Sequence, residues 1–231
     1  MASNDLSSCC YQGVKHEGDA RGRYETVDNF EAYFTNAQLI ADQFASNGYT
    51  VIMPDLFFGD PVPLNADMAS FSLPDWMQGK LGPKGIPHNP ETVDPVVAAS
   101  LKVLREKYKL QRIAAVGYCF GAKYAVRALG ASSIDAAYIA HPAMITPEEL
   151  SAVKRPLAVA AAESDHIFPS PLRHESEALL MKLDIPYQIN LYSGTNHGFA
   201  VRCDLSVKRQ KLAKEAAFLF ALQWFDQYLK N

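Results

Sequence analysis

Cys119 lies within Gly117-Tyr118-Cys119-Phe120-Gly121, between an apolar run and a helical pattern. A thiol at such a turn has the chemistry of a nucleophile. A tight strand-to-helix turn thrusts its central side chain outward through strained backbone, so glycines two residues before and two after it keep bulk away. The positive end of the following helix favours thiolate over thiol, and the Phe120 N–H is the natural first donor to a developing oxyanion. Two further turns carry what a nucleophile needs. Ala162-Glu163-Ser164-Asp165-His166 presents Asp165 just past an apolar run, and Ser193-Gly194-Thr195-Asn196-His197-Gly198-Phe199 places His197 on a loop between two glycines. His197 is then the general base, and Asp165 the carboxylate that orients it.

The chain order nucleophile, acid, histidine is that of the α/β-hydrolases and differs from the chymotrypsin and subtilisin orders. Alone, Cys119 reads equally well as a small buried hydrophobe; three strand-end turns in this order favour chemistry. Other candidates are weaker. His166 adjoins Asp165, but neighbours along an extended segment point apart, so its reading is structural. His141-Pro142 ends another apolar run and can line the same cleft, whereas His16, His88 and His174 lie in polar surroundings that suggest the surface. Glu163 reads either as a carboxylate supporting the pair or as a solvated charge. Cys9, Cys10 and His16 do not read as a metal site, because adjacent cysteines poorly present half a tetrahedron and no matching pair follows. A surface or satellite-cluster role is expected for them. No metal or cofactor is expected.

The elements that must position these residues follow from periodicity. Residues 36–47 carry apolar positions at spacings of three and four, a helix that Gly48 stops. TVIMPDLF (50–57) reads as a strand opening into a loop at Pro54-Asp55. Residues 59–90 are rich in Pro, Gly, Asp and His; a connection this long carries function or forms a cap, with a short helix near 73–78. Beyond it come helix 91–107, strand 112–116, helix 121–129, strand 135–140, strand 156–161, helix 170–182, strand 187–192 and a helix from about 206 to 229. Strands alternating with helices predict parallel pairing through right-handed crossovers. The expected architecture is a three-layer α/β/α sandwich with a mostly parallel sheet, the α/β-hydrolase fold, in one domain over 1–231, with sites at the carboxyl ends of its strands.

Composition bounds the partners. The 231 residues carry a net charge of −3, with Lys and Arg scattered, which offers nucleic acid no electrostatic footprint. The start MASNDLSSCC has neither a basic nor an apolar signal region, and no apolar run reaches membrane-spanning length. Four irregularly spaced cysteines do not make a disulfide framework, so a reducing, cytoplasmic location is expected. The expected partner is a small molecule, not a membrane or a nucleic acid; oligomeric state is not encoded in any readable pattern.

With GYCFG, ESDHIFP and NHGFAVR quoted, the chain resembles the dienelactone hydrolase family, particularly its fungal branch, whose opening segment CCYQGVKHEGDARG also resembles. The likeness extends from about Asn36 to the carboxyl end. It implies hydrolysis of an ester or enol-lactone by Cys119, His197 and Asp165, with Arg202 of the HGFxxR pattern holding a substrate carboxylate. One departure stands out. Family members carry a further apolar strand and turn between the counterparts of FEAYF (30–34) and NAQLIADQF (36–44), whereas here Thr35 alone joins Phe34 to Asn36. In the family that strand lies beside the nucleophile strand, and its turn supplies the second oxyanion donor and a carboxylate that tunes the cysteine. The fold is expected to be shortened by this strand, with residues 24–34 sliding into the vacancy or the core compromised. Two alternatives to the lactonase reading stay open: a weak or silent hydrolase-fold protein binding a small ligand or partner, and a hydrolase of thioesters or polyketide-type lactones.

Overall fold

Four strands, β1 (Ala114–Tyr118), β2 (Ala136–Ala140), β3 (Leu157–Ser164) and β4 (Tyr187–Asn196), pair in sequence order, every pairing parallel. Five residues each suffice for β1 and β2. All of β2 is buried, as is β3 from Leu157 to Ala162, and these segments read as unbroken apolar runs because helices cover both faces. In this computed structural model residues 2–22, 34–67 and 69–230 are described. The chain divides into two compact units, Met1–Cys10 with Leu110–Asn231, and Tyr11–Lys109.

The first unit holds the sheet. Successive residues of a strand face opposite sides. Tyr138 of β2 meets Phe220 of the long helix α8 (Lys208–Leu229), while its neighbour Ile139 shares an apolar lining with Leu150 of α5 (Pro147–Ser151) and Leu180 of α6 (Ser170–Leu180). Helix α4 (Phe120–Gly130) packs on β1 and β2 and touches α5. The three layers expected from the alternation are therefore present: α4, α5 and α6 on one face, α8 on the other. Ile113 N–H and Asp135 tie the entrance to β1 to the entrance to β2, the amide donating to the Asp135 carboxylate at 2.9 Å. Among the described residues β1 has one paired neighbour, β2. The side expected to lose a family strand carries none there, and residues 24–33, expected to slide in, lie outside the described residues.

The second unit contains α1 (Thr35–Ser46), α2 (Leu73–Met77) and α3 (Pro90–Glu106). Asn89 and Thr92 form a reciprocal capping box at the start of α3, with Pro90 in the first turn. Its core is aromatic. Trp76 stacks on His88 at 4.1 Å between ring centroids, His88 Nδ1 bonds the Trp76 carbonyl at 2.8 Å, and Trp76 Nε1–H donates to the Asp60 carbonyl at 2.7 Å. His88 is fully buried and His16 nearly so, which corrects the surface reading of both. An imidazole bonded to backbone carbonyls and stacked on indole behaves as a core ring whatever its sequence neighbours are. His174 is exposed as expected.

TVIMPDLF is not a strand: residues 50–55 have no ladder partner, and Asp55 instead accepts from the Phe57 and Gly59 amides in a turn. Strand-forming composition needs a neighbour to satisfy its backbone, and this unit has no other strand among its described residues. The loop expected after Tyr192 is also corrected. β4 runs on to Asn196 through a bulge, held where the Glu163 carboxylate accepts the Gly194 N–H at 2.6 Å and Arg209 Nε–H donates to the Ser193 carbonyl.

Candidate active site

The turn at Cys119 is as tight as its residue pattern requires. β1 ends at Tyr118, α4 begins at Phe120, and Cys119 between them has φ 50° and ψ −112°, a strained conformation for a residue with a Cβ. A Cβ at Gly117 would lie 2.6 Å from the Cα of Ala122, so the first glycine is a steric necessity. The second is not: a Cβ at Gly121 meets nothing within 4 Å. Cys119 N–H donates to Ala140 O at 3.2 Å, while its carbonyl accepts from Ala122 and Ala143, fastening the elbow to the end of β2. The Phe120 amide stands at the positive end of α4, where the sequence pattern expects an oxyanion donor.

Asp165 and His197 are placed by strand register. Ala162 pairs with Tyr192, and the next pair is Ser164 with Asn196, so β4 spends three residues where β3 spends one. Asp165 and His197 then leave the sheet side by side. His197 Nδ1–H donates to the Asp165 carboxylate at 2.9 and 3.0 Å, and Nε2 lies 3.2 Å from Cys119 Sγ. Asp165 Oδ1 also accepts the Ile167 and Phe168 amides at 2.8 and 3.0 Å, which locks the carboxylate before the imidazole arrives. All three side chains are buried. His141, expected to line the cleft, packs edge to face on His197 with centroids 5.0 Å apart; its ring nitrogens have no hydrogen-bond partner among the described residues. His166 is exposed and its backbone carbonyl accepts from Asn4, apart from the Cys119, His197 and Asp165 side chains.

Residues 2–10 complete the site, which their sequence did not reveal. The Ser3 and Asn4 amides donate to Ile145 and Ile167, the Met144 amide donates back to Asn4, and Ser176 Oγ–H donates to Ala2 O. This strap bridges the loops after β2 and β3 and delivers Cys10 to 3.8 Å from His197 Nε2. Cys10 and Cys9 pack against Cys119, Ala143 and Ile167, so the satellite-cluster expectation describes their packing but not the position of Cys10 in the site. Their pairing as Cys-Cys was the available signal. Arg202, at the end of α7 (Phe199–Arg202), is buried, and its guanidinium donates to the Cys9 carbonyl at 2.9 Å. Gly198, at φ 89°, leaves room for it: a Cβ there would come within 2.6 Å of the guanidinium.

The charges are coupled. The Cys10 thiol hydrogen bond is the largest influence on Cys119; with the charge and hydrogen bond of His197 and the charge of Arg202, it outweighs burial and holds Cys119 well below the ordinary thiol range. Cys10 moves the opposite way, pushed up by its bonds to Cys119 and Cys9 and by burial. Burial alone would depress the His197 imidazolium, but Cys119 and Asp165 hold it up at about 10. His141 is driven well down by burial and by the His197 and Arg202 charges, and stays neutral. Burial opposes the charge on Asp165, yet the His197 bond and charge keep its carboxyl low. These shifts run in the directions that favour a thiolate at Cys119 and an imidazolium at His197, with the Asp165 carboxylate oriented behind the ring.

Comparison with known proteins places the chain among hydrolases. "Hydrolase tropI" of Talaromyces stipitatus is 46% identical and "Hydrolase pyvD" of Aspergillus violaceofuscus 43%, each aligned over all of both chains. Each alignment is 254 positions long against 231 residues here, so at least 23 positions of the relative have no counterpart, in keeping with a missing segment. The human carboxymethylenebutenolidase homolog is 27% identical over 99% of this chain and all of its own. The dienelactone hydrolase structure from Anabaena variabilis superposes with a TM-score of 0.58 at 15% identity, covering 85% of this chain and 81% of that one, which supports the fold. A model of the dienelactone hydrolase family matches residues 28–229, and the chain belongs to that family of carboxylic ester hydrolases.

Proposed function

We propose that the protein hydrolyses the ester or enol-lactone bond of a small, carboxylate-bearing substrate through Cys119, His197 and Asp165. The observation that carries this reading is the continuous contact from Asp165 through His197 to the Cys119 sulfur, at 2.9 and 3.2 Å. The Cys119 thiolate attacks the acyl carbon, forming the C–S bond and moving the carbonyl electron pair onto oxygen. That oxyanion faces the Phe120 N–H at the head of α4. Collapse expels the alkoxide, which takes its proton from the His197 imidazolium. His197, now neutral, accepts a proton from water as the hydroxide attacks the thioester, and the acid leaves with the thiolate restored. Arg202 supplies the positive charge beside the nucleophile, and a substrate carboxylate pairs with it. A thiolate leaves readily, so activated esters and enol-lactones suit this site better than amides.

Electrospray mass measurement during turnover of an aryl ester tests the reading directly. A transient acyl adduct on wild type, absent from Cys119→Ala together with all turnover, is the expected result. Hydrolysis by Cys119→Ala at the wild-type rate would reject it.

A further inference from the structure

The geometry points to a second use of the same atoms: Cys10 Sγ, Cys119 Sγ and His197 Nε2 form a three-ligand site for one zinc-class divalent cation. These three atoms lie within 4.8 Å of one another. Nε2 is 3.2 Å from one sulfur and 3.8 Å from the other. A tetrahedral ion with metal–sulfur bonds of about 2.3 Å and metal–nitrogen bonds of about 2.0–2.1 Å sets nitrogen–sulfur edges near 3.6 Å and a sulfur–sulfur edge near 3.8 Å. The observed nitrogen–sulfur separations bracket the first of these values, and the sulfurs lie within 4.8 Å of each other, close enough for side-chain adjustment to seat the ion.

Three independent features support a site over a chance cluster. The donor set, two sulfurs and an imidazole, is soft and selects zinc-like ions over magnesium or calcium. His197 donates its other ring N–H to Asp165, the carboxylate partner that metal-bound histidines characteristically have. The ligands come from anchored segments: the strap is pinned to Ile145 and Ile167, the elbow to Ala140, and His197 to Asp165. Three protein ligands leave the fourth vertex for an exogenous ligand. The adjacent-cysteine objection to a metal site falls away because the two sulfur ligands are Cys10 and Cys119, which are not neighbours in the chain.

An ion held there occupies both the sulfur and the ring nitrogen that the proposed hydrolysis uses. Resting on that reading, the loaded protein is expected to be inactive and a chelator to restore turnover.

The test uses the full chain, reduced with a phosphine, chelator-treated and shown to present its four free thiols. Titration with Co2+ alone is expected to saturate at one ion per chain, with a thiolate-to-cobalt charge-transfer band and intense tetrahedral d–d absorption, both removed by Zn2+. Asp165→Asn should weaken binding about 10–100-fold, and Cys10→Ser by at least about as much. Cys10→His, which keeps a donor that zinc-class ions accept, should retain binding with about half the charge-transfer intensity; it guards against misfolding of the serine variant. Binding below one ion per chain, equal affinity in Cys10→Ser, or a Cys10–Cys119 bond that persists in reductant would overturn the site. Absence of cobalt binding in a protein that hydrolyses ester when metal-free rejects the metal site alone, and cobalt binding by a protein whose metal-free form shows no hydrolysis rejects the catalytic reading alone.

Discussion

Asp165 and His197 each stand one residue beyond the last register pair of β3 and β4, Ser164 with Asn196, so the sheet itself sets the 2.9 Å contact between them. The pair needs no loop closure to form. Its role can be separated from its stability, because an amide at 165 keeps an oxygen to accept the Ile167 and Phe168 N–H groups. Asp165→Asn is expected to unfold within a few degrees of wild type and to lose about two to four orders of magnitude in kcat on an aryl ester. Steady-state kinetics with a melting curve checks both halves; wild-type kcat would remove Asp165 from the mechanism.

Ion pairing at Cys119 predicts an unusual pH profile for alkylation. A free cysteine near 8.5 loses about tenfold in iodoacetamide reactivity for each pH unit below that value. The lowered Cys119 keeps its thiolate there, and His197, held at about 10, stays protonated across neutrality. In chelator-treated protein the alkylation rate of Cys119 should rise far less with pH below about 8.5 than that of a free cysteine. His197→Asn should bring back a rise with pH. A steep rise in wild type would contradict the ion pair.

The two glycines of the elbow should behave oppositely. Gly117→Ala forces a Cβ onto the Ala122 backbone and is expected to cost about 1–3 kcal/mol or prevent folding. Gly121→Ala, with nothing within 4 Å, should leave stability within about 0.5 kcal/mol or raise it by up to about 1 kcal/mol, as alanine does in helices. Urea midpoints distinguish the cases.

Lys214 gives a test that reads stability and not turnover. Burial pulls its ammonium down to about 8, while its Nζ–H groups bond the Ala200 and Val201 carbonyls at 2.8 and 3.4 Å. The unfolded chain, with lysine near 10.4, binds the extra proton between those values. Stability from this group therefore rises with pH across about 8 to 10, the penalty being complete below 8. Relative to Lys214→Met, wild type should gain in melting temperature over that interval. A constant difference would show that Lys214 keeps its solution pKa.

What the sequence disclosed, and what it hid, divides by whether the information was local. β1 to β4, α4, α6 and α8 follow from apolar periodicity, and Cys119, Asp165 and His197 from strand-end turns, because each depends on near neighbours. TVIMPDLF failed because a strand is a relationship, and composition cannot supply the partner. Gly194 marked a break that proved to be a bulge inside β4, since the bonds from Glu163 and Arg209 that hold it come from elsewhere in the chain. His88 and Cys10 were misplaced for the same reason. The Trp76 face and the Cys119 sulfur that receive them are brought near only by folding.

The bulge between Tyr192 and Asn196 acts as a spacer whose length is measured in residues. Removing a single one of Ser193, Gly194 or Thr195 would carry the chain into the turn with opposite facing, swinging the imidazole away from the sulfur while β2 and β3 keep their packing. Inherited or engineered one-residue deletions there should therefore yield well-folded, inert proteins. Neighbouring exposed loops, by contrast, should absorb such changes silently.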